Sequence, residues 1–145
     1  MCGVLDLAYV FVVFGWQDGR AARILQGIAG SLMGPGAMTG GAAAAALGLA
    51  IHVGVACAAA ALFYGLSRQA PALVSHPWIG GAAFGVGFYL LMNLVVLRLT
   101  RLPPAPFPPP GWQWVLAAHV LCVGWPIAWV IATMTGAPGM RERHG

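Results

Sequence analysis

The sequence predicts an all-α integral membrane protein, a single transmembrane domain over residues 1–145. The fold class is a four-helix bundle of membrane crossings, with an additional interfacial or re-entrant helix. Only 7 % of the 145 residues are charged, against about 25 % in an average soluble domain. Hydrophobic residues make up 60 % of the chain, far more than a disordered chain carries. The charged residues also lie at the ends of long uncharged stretches, as residues that flank membrane helices do.

The first two predicted crossings differ in length and composition. A membrane-spanning helix needs about 20 apolar residues, so the first, at about residues 3–16, is short for a full crossing. The second, at about residues 41–66, contains no charge, and its first half is nearly all Ala and Gly. Because small residues let helix backbones approach closely in lipid, this crossing is expected to pack tightly or to self-associate.

The additional helix is predicted at about residues 21–33. Ile24, Ile28 and Leu32 recur at helical spacing, which indicates a helix, and the Gly-Pro-Gly sequence at residues 34–36 ends it. The segment is interpreted as an interfacial amphipathic helix, a re-entrant piece or an extra turn of the first crossing, and the interfacial placement is preferred.

The last two predicted crossings are separated by a proline-rich loop. The third, at about residues 78–97, contains Gly81 and Gly85 four residues apart, continued by Gly87, a pattern typical of a helix-packing face. Six prolines lie in residues 103–110, which predicts a stiff polyproline II spacer. The fourth crossing is predicted at about residues 112–134.

Three polar residues lie inside predicted crossings, where they are costly and therefore suggest function. They are His52, Asn93 and His119. A helical rise of about 1.5 Å per residue places all three in the same half of the bilayer. Pro126 removes the hydrogen bond to the carbonyl of Cys122, one turn from His119, so the proline either helps to form a small polar pocket there or only kinks the helix.

Several explanations of this group remain open. The three side chains can form interhelical hydrogen bonds that fix packing. They can also form a binding site or a proton pathway, since histidine exchanges protons at physiological pH. A haem or metal site is a third explanation: His119 and Cys122 are three residues apart on one face, which suits a soft metal. No Cys-x-x-Cys-His attachment motif accompanies them.

Short motifs follow one another along about residues 44–134. They are Leu47-Gly48-Leu49-Ala50-Ile51-His52, Tyr64, Pro77, Gly80, Gly85, Met92-Asn93, the proline-rich loop and Ala118-His119. This pattern resembles small bacterial membrane proteins of the YagU-like kind, although Arg98 departs from the proline that those proteins carry near the end of the third crossing. The resemblance implies a multi-pass protein of the bacterial inner membrane and no defined reaction. It marks His52 and His119 as positions to test.

The sequence therefore predicts a multi-pass membrane protein with a structural or accessory role. The alternatives are a small-solute or proton pathway through His52, Asn93 and His119, and a haem- or metal-binding membrane subunit. The chain has no pair of neighbouring carboxylates, no nucleophile motif and no phosphate loop, which disfavours an enzyme. No residue is assigned as catalytic or metal-binding, and no cofactor is predicted. The expected partners are the lipid bilayer and a second copy through the Gly/Ala faces; scattered arginines disfavour nucleic acid.

Overall fold

The computed structural model describes residues 20–103 and 106–136, and the predicted first crossing at residues 3–16 lies outside them. The described residues are helical, without a strand. The elements in chain order are α1 (Arg20–Met33), a 3₁₀ turn (Pro35–Thr39), α2 (Gly41–Gln69), α3 (Ala72–Ser75), α4 (Pro77–Leu91), a π-helical turn (Met92–Val96), a 3₁₀ turn (Leu97–Leu99), α5 (Trp112–Ala118), a second π-helical turn (His119–Gly124) and α6 (Trp125–Thr135).

Three helical stretches are long and apolar enough to cross a membrane. These are the first span (Gly41–Gln69), the second span (Pro77–Leu99) and the third span (Trp112–Thr135). They coincide with the second, third and fourth predicted crossings, and the largest difference is an end at Gln69 where residue 66 was predicted. The described part of the chain is thus an all-helical structure with three candidate membrane spans.

The third span contains a wide helical turn directly before its proline. The π-helical turn His119–Gly124 precedes α6, and the N–H of Trp125 donates to the carbonyl of Val120, five residues back. A proline ring clashes with the carbonyl four residues earlier, which for Pro126 is that of Cys122. The wider turn accommodates the proline ring. The proline is therefore associated with a change in the geometry of a whole helical turn, and not only with the loss of one hydrogen bond.

Glycines bring the backbones of the second and third spans together. A methyl group at Gly81 would lie 2.9 Å from the carbonyl oxygen of Gly124, and one at Gly124 would clash with the carbonyl of Gly81. A methyl group at Gly85 would lie 2.7 Å from the carbonyl oxygen of His119. Because no side chain larger than hydrogen fits at these three positions, the two spans pack backbone against backbone.

Helix α1 runs antiparallel along the first half of α2. A methyl group at Gly48 would clash with the backbone of Leu25, and Ala29 packs with Ala44 four residues nearer to the connecting turn. The side-chain amide of Gln26 donates to the carbonyl of Gly41 over 3.0 Å. The predicted helix at residues 21–33 therefore exists, and it is held along α2 by close backbone contact.

The rest of the interior contains aliphatic side chains and a smaller set of aromatic ones that make specific ring contacts. Phe63 of α2 is fully buried, and its ring meets the edge of Phe84 with centroids 5.0 Å apart. At the start of the second span, Trp78 packs edge-on against Trp125 and Trp129 of α6. The indole N–H of Trp125 also donates to the carbonyl of Trp78 over 3.0 Å. These contacts fix the relative height of the second and third spans.

Candidate functional site

A buried tyrosine lies between the second and third spans. Tyr89 is only 3 % exposed, and its hydroxyl has no hydrogen-bond partner among the described residues. The ring meets the His119 ring edge-on, with centroids 5.5 Å apart. On another side lies Phe107 of the proline-rich loop, with centroids 6.5 Å apart. Because an unpaired buried hydroxyl is costly, Tyr89 is the polar group of the interior whose position most needs an explanation.

His119 opens the π-helical turn of the third span and is half-buried. Its ring nitrogen Nδ1 lies 2.8 Å from the carbonyl oxygen of Val115. A carbonyl only accepts hydrogen bonds, so Nδ1 carries the proton in this arrangement, and Nε2 is the acceptor nitrogen when the ring is neutral. The ring packs beside Phe88 as well as Tyr89, which leaves it inside an aromatic pocket.

Asn93 lies in the π-helical turn at the end of α4 and is half-buried. Its side-chain nitrogen donates to the backbone carbonyl of Tyr89 over 2.9 Å. This bond lies within one helix, four residues back along the chain. The amide thus satisfies part of its hydrogen-bonding capacity locally, as polar side chains inside helices often do.

His52 lines an open cavity of about 330 Å³ that is bordered by α1, α2 and the end of the second span. The walls are aliphatic except for three polar side chains, Ser31, His52 and Thr100. The hydroxyl of Thr100 donates to the carbonyl of Leu97 over 2.8 Å. A mostly apolar cavity with a few polar groups is the usual form of a small-molecule site.

The three residues predicted from the sequence are thus connected with two adjacent parts of the second span, one at Tyr89 and one at Met92. Asn93 and His119 both contact Tyr89, one through its backbone carbonyl and the other through its ring. His52 shares its cavity with Met92, the residue before Asn93. A joint role of His52, Asn93 and His119 stays a prediction.

Sequence reasoning missed Tyr89 and the cavity. Tyr89 was identifiable, since it is a hydroxyl-bearing residue inside a predicted crossing and lies one helical turn from Asn93. The cavity was not identifiable, because it depends on how α1 is placed against two spans.

Metal-ligating side chains are dispersed in the described part of the chain. Within residues 20–103 and 106–136, no three His, Cys, Asp or Glu side chains are grouped so that they could hold a metal ion. Cys57 is exposed on α2, and Cys122 is half-buried in the π-helical turn.

Comparison of the chain with protein-family models, with curated proteins and with solved structures finds no match. The functional argument therefore depends on the geometry above.

Proposed function

We propose that the chain is a multi-pass protein of a bacterial inner membrane with a structural or accessory role, and that it assembles with a second copy of itself. The three candidate spans support the membrane location. The YagU-like pattern of residues 44–134 supports the inner membrane of a bacterium. The antiparallel course of α1 along α2 favours a re-entrant α1 over one that lies flat at the interface.

The observation that carries the proposal is a row of exposed small residues on α2. In the third span 44 % of the apolar window is buried within the chain, but in the first span only 17 %. The exposed small residues recur every fourth position, and we call them the small-residue face: Ala42, Ala46, Ala50, Gly54 and Ala58. A methyl group at Gly54 would meet nothing within 4 Å. Helices associate in lipid through such rows, because their backbones can approach closely.

Cysteine cross-linking tests the self-association directly. Cys57 is exposed beside the small-residue face, so it is the natural reporter once Cys2 and Cys122 are changed to serine. In proteoliposomes, mild oxidation is expected to give a disulfide-linked dimer. Gly54→Leu should abolish that dimer, because a leucine there separates the two backbones.

Gly87→Leu is the matched control, since Gly87 is also exposed on a span and also has nothing within 4 Å of an added methyl group. It should leave the dimer unchanged. Circular dichroism establishes that each variant is folded. A wild-type protein that stays monomeric in lipid, or a Gly54→Leu variant that cross-links like wild type, would contradict the proposal.

A second candidate function is a small-solute or proton pathway, favoured by the cavity beside His52 and by the Tyr89–His119 contact. The experiment is flux into proteoliposomes that contain a pH-sensitive dye. A pathway predicts that His52→Ala and His119→Ala lower flux while the yield of folded protein is unchanged. If both variants lower only thermal stability, the structural role is favoured.

A further inference from the structure

We propose that the cavity beside His52 holds an acyl chain of an anionic phospholipid, whose headgroup binds Arg98 and Arg101. The inference rests on the membrane location in the proposed function and is independent of self-association. It assigns to one end of the second span a specific lipid site, distinct from the general contact of the spans with the bilayer.

The cavity has the chemistry of a chain-binding site. Its volume of about 330 Å³ lies near the lower end of the range of roughly 300–1,000 Å³ that small-molecule sites occupy. This space has room for much of one hydrocarbon chain and is too small to hold both chains of a lipid. Ile28, Val55 and Val96 come from three different elements and supply aliphatic walls, so a chain that enters would contact hydrocarbon on several sides.

Two arginines border the cavity at the end of the second span. Leu97, Thr100 and Leu102 line it, and Arg98 and Arg101 alternate with them along the chain and are exposed. Each guanidinium therefore belongs to a residue that directly adjoins a lining residue.

Arg101 is also fixed to the cavity wall through its backbone. Its N–H donates to the carbonyl of Ser31, a lining residue of α1, over 3.0 Å. A methyl group at Gly34 would lie 3.9 Å from the Cβ of Arg101. The end of α1 thus holds Arg101 beside the cavity.

The charge of the described residues favours an anionic headgroup. Residues 20–103 and 106–136 contain arginines and no Asp or Glu, so neither Arg98 nor Arg101 has a carboxylate partner there. Arginine recognises phosphate through paired N–H donors. Basic pockets between membrane helices, next to the bilayer surface, bind anionic headgroups.

Arginines at helix ends also extend toward headgroups without any site, so the experiment must separate a site from general attraction. Delipidated full-length protein in detergent is titrated with phosphatidylglycerol or phosphatidylcholine, and bound lipid is counted by native mass spectrometry. Inorganic phosphate is the third ligand. The wild-type protein should bind one phosphatidylglycerol molecule in preference to phosphatidylcholine and should not retain phosphate.

Charge variants test the headgroup contact. Arg98→Gln and Arg101→Gln should each weaken phosphatidylglycerol binding about five-fold, as expected for one basic residue near an anionic surface. Arg68→Gln is the matched control, because Arg68 is exposed in the last turn of α2 and does not line the cavity. An equal loss of phosphatidylglycerol affinity in all three variants would overturn the proposal of a specific site, since the affinity would then depend only on the net charge of the protein.

Substitutions that fill the cavity test its contact with the acyl chain of the lipid. Gly27 lines the cavity and has nothing within 4 Å of an added methyl group, so Gly27→Leu should fill the space and reduce binding of the lipid by ten-fold or more. Ser31→Leu is a second filling variant, in case the first does not fold by circular dichroism. Gly87→Leu, which fills a different apolar cavity, should bind like wild type.

Wild-type affinity in a folded filling variant, equal affinity for the two lipids, or retention of phosphate alone would each overturn the proposal. Monomer and dimer peaks are resolved in the same spectra, so a failure of self-association remains distinguishable from a failure of lipid binding.

Discussion

The two halves of the second span differ in burial: the first contains all of its buried residues, and the second contains none. In α4, the first half, the buried residues are Gly80, Gly81, Phe84, Gly85, Phe88 and Tyr89. In the second half, the π-helical turn Met92–Val96 and the 3₁₀ turn Leu97–Leu99 contain no buried residue. The first half touches the backbone of the third span and borders an apolar cavity on another side, whereas the second half borders the cavity beside His52 and contributes no buried residue.

The difference follows from where the glycines lie. Gly81 and Gly85 remove the side chains that would separate the second span from the third, so the backbones meet. Residues 92–102 contain no glycine, and they meet α1 at their far end, where the N–H of Arg101 donates to the carbonyl of Ser31. In lipid, van der Waals packing drives helix association in place of hydrophobic burial. The side chains of Met92, Val96 and Leu97 line the cavity beside His52 and do not bring a neighbouring backbone into contact as the glycines do.

The largest expected effect comes from a methyl group in the packed half. Gly124→Ala places Cβ against the carbonyl of Gly81, and backbone atoms cannot move aside as the tip of a flexible side chain can. Overpacking usually costs about 1–3 kcal/mol, and we expect the upper part of that range or more. The measurement is the free energy of unfolding from denaturant titration in detergent micelles, followed by circular dichroism.

Gly87→Ala is the control for this variant. It makes the same chemical change in an adjacent span, with open space around the added methyl group. Alanine is favoured over glycine in a helix by roughly 0.5–1 kcal/mol, so this variant should be slightly more stable than wild type. Equal destabilisation of both variants would show that the spans do not pack backbone against backbone.

Tyr89→Phe tests the one polar group in the packed half that lacks a partner. The hydroxyl is buried and unpaired among the described residues, and an unsatisfied buried group costs about 1–3 kcal/mol. Its removal is therefore expected to raise the free energy of unfolding by about 1 kcal/mol, with the ring contact to His119 retained. A loss of stability would contradict this and would reveal a hydrogen bond to that hydroxyl.

The packed half was partly predictable from the sequence. The spacing of Gly81 and Gly85 predicted a packing face, and both lie against the third span. The continuation of that face to Gly87 was wrong, since Gly87 is exposed and has nothing within 4 Å of an added methyl group. The spans themselves were predictable because a helix can cross a membrane when about 20 consecutive residues are predominantly apolar, and both length and apolarity are read directly from the sequence. Gly124 was not recognised as their counterpart, since the sequence of one helix does not say which neighbour meets its glycines.

The open half was not predictable, for a related physical reason. The periodicity of α1 predicted a helix but not its antiparallel course along α2, which depends on the contact between Gly48 and Leu25. The cavity exists only because α1 follows that course. Depth along each helix placed His52, Asn93 and His119 in one half of the bilayer. It could not indicate the direction in which each side chain points, since every residue turns the helix face by about 100°.

A smaller effect is expected from the open half. In delipidated protein, where no acyl chain fills the cavity, Gly27→Ala adds a methyl group in α1 where nothing lies within 4 Å, so the variant should gain roughly 0.5–1 kcal/mol from helix propensity. Gly30→Ala is the matched control in the same helix, because its methyl group would lie 2.9 Å from the side chain of Leu102. A smaller gain, or a loss, is expected there. If Gly27→Ala destabilises the protein in the same titration, the cavity is filled in solution.

The smallest expected effect is the coupling between Asn93 and His119. It tests whether these two side chains interact or only lie at the same depth in the membrane. The amide of Asn93 and the ring of His119 each bond to a carbonyl of their own helix. A double-mutant cycle of Asn93→Leu and His119→Leu should therefore give a coupling energy below about 0.6 kcal/mol, the average of polar contacts between membrane helices. Mutations at independent sites change the free energy of unfolding additively, so their coupling energy is close to zero. A coupling of about 1 kcal/mol or more would mean that each side chain stabilises the other. In that case the polar interaction would bridge the second and third spans, and the glycine contacts would not be the only reason why they pack closely.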